Sequence, residues 1–178
     1  MAHVEKKQVW REIPRATARA NGWKVVPTRW IDVNKGDLQR PNYRSRFVAK
    51  EFNTGPQEGL FAATPPLEAM RLLVSLAATG ESVDQCDDHV IMVNDVSRAF
   101  FEAPARRVIC IELPAEAGGD GSTVGLVQKS LYGTRDAATN FQAEVAKVMV
   151  VAGFERSRYS PSVFFSPSFI LARLAASP

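Results

Sequence analysis

An acid that closes an apolar run constrains this chain more than any other feature. Val90-Ile-Met-Val93 consists of strand-forming residues, and Asn94-Asp95 ends the run. Composition predicts a buried strand over Val90–Val93. A carboxylate at the end of such a strand is costly unless it is solvated, paired or holding a cation. Strand ends are also where α/β-type sheets place their chemistry. Asp95 therefore has two readings: a functional carboxylate, or a cap on the short turn Ser97–Phe101.

The chain has 178 residues, enough to bury a core as one domain or as a domain with an added lobe. Its apolar content of 46% and charged content of 23% place it among ordinary soluble globular proteins. A formal net charge of +3 conceals an uneven distribution, because seven basic residues and two acids lie between Lys24 and Lys50. Polyanions are the partners such a segment suits, and a solvated basic face is the alternative. Cys86 and Cys110 form no metal-ligand spacing and read as reduced interior residues. His3 and His89 are isolated, which argues against zinc. Without a signal peptide or an apolar run long enough to span a bilayer, the expectation is an intracellular protein with no membrane partner.

From the N-terminus, Val4, Val9, Trp10 and Ile13 give a weak helical stripe that Pro14 stops, and Ala16–Gly22 reads as loop. Residues 23–52 read as a hairpin. Trp23–Val33 is rich in strand formers, Asn34-Lys-Gly-Asp37 is turn chemistry, and Tyr43–Lys50 returns. A period of two puts Arg44, Arg46 and Lys50 on one face of the return strand, with Tyr43, Phe47 and Ala49 on the other. Three cations on one face suit a triphosphate or a nucleic-acid backbone. They equally suit an edge strand kept soluble by charge.

Pro65-Pro66 precede the clearest helix, over Leu67–Thr79. Leu67, Met70, Val74 and Ala77 line one side as core packing, and Gly80 is its stop. Asp84, Asp87 and Asp88 lack the glycine and terminal glutamate of a Ca²⁺ loop and read as a solvated loop. Arg107–Leu113 is a second strand, expected to lie antiparallel beside Val90–Val93. The glycines of Ala117–Thr123 lack the Gly-Lys-Ser/Thr ending of a phosphate loop, so a hairpin connection is expected. A strand over Val124–Lys129 leads to Ser130-Leu-Tyr-Gly133. A helix over Asp136–Val151 follows, with Phe141, Val145, Val148 and Met149 as its stripe. Ser162–Ser166 is another strand, and Phe169–Pro178 matches no element.

Taken together, these segments resemble the copia-type reverse transcriptases of long-terminal-repeat retrotransposons. The matching stretches, in family order, are Thr28–Val33, Tyr43–Phe52, Met70–Ala78, Asn94–Phe101 and Lys129–Gly133 with its following helix. They cover about residues 23–166, between an N-terminal extension (1–22) and an unassigned tail (167–178).

The resemblance implies an α+β fold: the fingers and partial palm of a right-hand polymerase, with an antiparallel sheet packed on helices and truncated at the C-terminus. It implies RNA- or DNA-templated DNA synthesis from deoxynucleoside triphosphates on a template-primer, with two Mg²⁺ ions. Asp95 matches the first catalytic carboxylate, and the Val96 carbonyl is a further metal ligand. Phe100 matches the bulky residue set beneath the sugar, which excludes a ribose 2′-hydroxyl. Tyr132 and Gly133 match the segment that shapes the nucleotide pocket. Arg44, Arg46 and Lys50 are candidates for the triphosphate or the template strand. Where the family commonly carries proline and a basic residue early in the next helix, this chain has Ala138 and Thr139. The family's Asp-Asp pair is missing, since nothing after Phe165 is acidic. The expectation is therefore a fragment inactive on its own. A non-catalytic nucleic-acid-binding remnant and an inert decayed fragment are the alternatives.

Overall fold

The computed structural model describes residues 4, 6–52, 55, 59–60, 62–79, 91–166 and 169–174, the last stretch by its backbone. The chain divides into two compact units. The first comprises Met1–Leu60 with Arg98–Phe141, and the second Phe61–Ser97 with Gln142–Pro178.

The first unit is built on a four-stranded sheet. Its strands are β1 (Trp10–Pro14), β2 (Val25–Val26), β5 (Cys110–Ile111) and β6 (Thr123–Val127), in the order β1-β6-β5-β2. β6 runs antiparallel to both β1 and β5, whereas β2 and β5 are parallel. Alternate residues supply two apolar layers, as the pleat requires. Val26, Ile111 and Val127 face one cluster, which includes Phe47, Ala49, Phe101 and Leu131. Cys110, Val124 and Ile13 face the other, with Ala18 of helix α1 (Arg15–Ala20) and with Trp23 against it. Both faces are covered, which is why the run Ile109–Ile111 is continuously apolar. Gly125 leaves room for the Trp10 ring, since a Cβ there would lie 2.9 Å from Trp10 Cγ.

β3 (Thr28–Asn34) and β4 (Tyr43–Ala49) form the expected antiparallel hairpin, with Trp30 opposite Phe47 and Val33 opposite Arg44. Phe47 anchors it, with its ring 5.4 Å from that of Trp10 and 5.2 Å from that of Trp30. The turn closes on Asn34, whose Oδ1 accepts from the amides of Gly36 (3.0 Å) and Asn42 (2.8 Å). Every residue from 32 to 46 is exposed, so the ribbon stands clear of the core.

In the second unit, helix α2 spans Leu67–Thr79. Helix α3 (Ala137–Val151) starts in the first unit and continues here from Gln142. β7 (Glu155–Arg156), β8 (Val163–Ser166) and β9 (Phe169–Leu174) make a three-stranded antiparallel sheet with Phe164 buried in it. The Gln142 side chain donates to Ala63 O at 2.8 Å and accepts from Ala63 N at 3.2 Å. Among the described residues, no helix is long and apolar enough to cross a membrane.

Several expectations are corrected. Residues 10–14 form a strand and Arg15–Ala20 a helix, because Pro14 opens that helix rather than stopping one. Ile91, Met92 and Val93 form no strand and are exposed. The partner expected for them, β5, already carries β2 and β6 on its two edges. β5 is also shorter than Arg107–Leu113. Leu67, Met70 and Val74 of α2 are about half exposed rather than core, and Val148 of α3 is exposed too. These helices form on local signals, and the described residues of the unit do not cover those side chains. Phe169–Leu174, left without an element, pairs as β9. Val90, Gly80, Asp84, Asp87, Asp88, Cys86, His3 and His89 lie outside the described residues.

Gly133 has φ +83°, and a Cβ there would fall 2.0 Å from Ala49 O; Gly121 has φ +84° and open space around it. Gly121→Ala is expected to cost about 1–2 kcal/mol through its left-handed backbone alone. Gly133→Ala should cost about 1–3 kcal/mol more, because the main chain of β4 must also shift. Urea unfolding of the two variants checks the difference.

Candidate functional site

The first unit gathers six of the eight candidate residues. Arg44 and Arg46 lie exposed on one face of β4, and the register adds Arg29, Ile31 and Val33 of β3 to the same face. The result is a cationic surface with short apolar stretches between charges. Lys50 follows directly, half-buried, with its amide donating to Pro27 O at 2.8 Å.

The end of β4 is joined to the segment carrying Tyr132 and Gly133. The Ala49 amide donates to Tyr132 O at 2.7 Å, and the Glu51 amide to Gly133 O at 3.3 Å. Gly133 meets this strand without a side chain, as close backbone approach requires. The Tyr132 ring lies 4.6 Å from that of Phe100 and 5.7 Å from that of Phe101. Phe141 lies 6.3 Å from Phe100, edge on. Phe100 thus sits half-buried in an aromatic group, while Phe101 fills the core.

Asp95 and Val96 belong to the second unit, where they stand exposed in a segment without regular structure. A buried strand end is therefore not the setting of Asp95. The short helical turn Ala99–Glu102 of the first unit is entered through Arg98, in a left-handed conformation (φ 54°, ψ 44°), whose side chain makes no capping bond.

Among the described residues, the most strongly perturbed carboxylate is one that sequence reasoning missed. The Glu51 side chain is 1% exposed. It accepts two bonds from the Arg107 guanidinium, one of them at 2.8 Å through Nη1, and one from the Arg135 amide at 2.9 Å. Lys24 Nζ approaches at 3.3 Å. Arg107 also donates to Asp136 at 2.9 Å, Asn140 donates to Asp136 and to Ser130, each at 3.0 Å, and the network closes on the loop before α3. Burial pushes the Glu51 carboxyl up, but the bonds from Arg107 and Arg135 outweigh it and bring the group down to about 2. The same bonds raise Arg107 above its ordinary value against the opposing effect of burial. The signal was faint: Lys50-Glu51, Arg106-Arg107 and Arg135-Asp136 are neighbouring opposite or like charges in three distant segments, and nothing in sequence pairs them.

Residues 9–168 match the family model described as reverse transcriptase (RNA-dependent DNA polymerase). This chain belongs to the reverse transcriptase family. No curated protein and no solved structure matches it. As a reverse transcriptase the chain would be expected to use divalent metal, yet among the described residues no three or more His, Cys, Asp or Glu side chains come together to hold one. Hard cations need several oxygen ligands. Asp95 and the Val96 carbonyl alone do not fit a pair of Mg²⁺ ions.

The low value of Glu51 sets a pH dependence. Its ordinary value is 4.5 and its folded value about 2, so between them the unfolded chain binds more protons than the folded one. The stabilisation is present above about pH 4.5 and is lost as pH falls toward 2, a change on the order of 3 kcal/mol. Chemical denaturation from pH 6 down to pH 2.5 should show this loss, and Glu51→Gln should flatten it.

Proposed function

We propose that this reverse transcriptase chain is of the copia type, from a long-terminal-repeat retrotransposon, and that it contributes the fingers and part of the palm. The observation that carries the reading is the joining of the cationic β4 to the Phe100–Tyr132–Gly133 group. In this reading Arg44 and Arg46 neutralise backbone phosphates of an RNA or DNA template-primer. Lys50 faces the triphosphate of an incoming deoxynucleotide, and Gly133 lets the main chain approach the base pair. Phe100, held against Tyr132, presents its ring to the sugar and disfavours a ribose. The setting is intracellular, where template and nucleotides are found.

We further propose that the chain by itself binds nucleic acid without extending it. The reason is the exposed, irregular setting of Asp95. Chemistry at Asp95 would require carboxylate partners that the described residues do not provide.

Fluorescence anisotropy with a primed template tests the binding. Affinity should fall steeply between 50 and 200 mM salt. Arg44→Ala/Arg46→Ala should weaken it and reduce the slope of log K against log salt by about 1–2. No binding above background would leave an inert fragment and overturn the reading. Incubation with deoxynucleoside triphosphates and Mg²⁺ should leave the primer unextended, and any longer product would overturn the second proposal.

A further inference from the structure

Lys50 and the Tyr132–Gly133 segment come from chain regions about eighty residues apart, and two main-chain bonds alone would hold them loosely. The Glu51 side chain is what stiffens the joint. Glu51 follows Lys50 directly, and its carboxylate reaches past Gly133 to the Arg135 amide at 2.9 Å. Its other contacts run through Arg107 to Asp136 at 2.9 Å, and from there through Asn140 back to Ser130 at 3.0 Å. The loop from Ser130 to Asp136 is therefore gripped before Tyr132 and after Gly133, while the Arg135 guanidinium fastens to Gly55 O at 2.8 Å. A buried ion pair contributes little net stability compared with apolar residues of the same size, but it fixes geometry where each lone pair is used.

We propose that Glu51 is a positioning residue, which holds Lys50 and Tyr132–Gly133 at the spacing needed to meet one deoxynucleoside triphosphate. This rests on the nucleotide-binding reading above. Glu51 itself would touch no nucleotide. It acts through Arg107 and the Arg135 amide.

The experiment uses the full chain with mant-dATP as the fluorescent probe, below the melting temperature of every variant. Val124→Ala serves as the control, because Val124 lies in the apolar layer on the opposite face of the sheet. Glu51→Gln should weaken mant-dATP binding at least tenfold, while Val124→Ala, matched for lowered Tm, stays within twofold of the parent. Hydrogen exchange should show the Ala49 and Glu51 amides losing protection in Glu51→Gln, while the Cys110 and Val127 amides keep theirs. Arg107→Lys retains a cation without the two-pronged bond and should show the same selective loss if Glu51→Gln does not fold. Equal weakening by Glu51→Gln and Val124→Ala would overturn the proposal, as would unchanged binding. If the parent chain binds neither mant-dATP nor a primed template, the functional reading fails. Exchange then decides alone: selective loss supports Glu51 as the clamp, and uniform or absent loss overturns it.

Discussion

The first unit depends on a carboxylate taken out of water. Glu51 gives up its hydration at the point where the hairpin ends, and only a full set of donors makes that tolerable. Arg107 brings its fork from the segment before β5, and Arg135 brings an amide from the loop before α3. Three segments distant in sequence are thereby given one mutual arrangement. Apolar packing of Phe47 and Ala49 brings the hairpin to the sheet, but apolar contact is non-directional and would tolerate sliding. The ion network does not.

Much of this architecture is legible in the order of residues. Alternation in Tyr43–Lys50 places the cations opposite Phe47 and Ala49, and Asn34 with Asp37 announces the turn that their side chains cap. The helix from Ala137 and the hairpin between β5 and β6 are equally plain. The failures share a cause: local patterns carry no information on what covers them. Val90–Val93 has the composition of a buried strand, but β5 has no free edge to receive one. The stripe of α2 is as apolar as a core helix should be, and its side chains are nonetheless exposed. Pro14 was expected to stop a helix, but the pairing of Trp10–Pro14 with β6 makes the residues before it a strand.

For the candidate site, the alternation of Tyr43–Lys50 put the cations on one face, whereas Phe100, Tyr132 and Gly133 were singled out through the resemblance. Phe100 and Tyr132 are far apart in sequence, and nothing in the sequence said that their rings meet. The Glu51 network was hidden because ion pairs have no periodicity. Asp95 marks the other limit. The resemblance led to the expectation of a catalytic carboxylate there, while its surroundings are those of a surface residue.

The exposed ribbon has a consequence for how the chain behaves in company. Among the described residues β3 and β4 form a sheet of only two strands, so each has one ladder edge with no described strand beside it. Such edges invite pairing with the same ribbon on another molecule, and repulsion among Arg29, Arg44 and Arg46 keeps copies apart. A polyanion laid along that face cancels the repulsion. Whatever neutralises the ribbon must also cover it, or the complex becomes a seed for self-association.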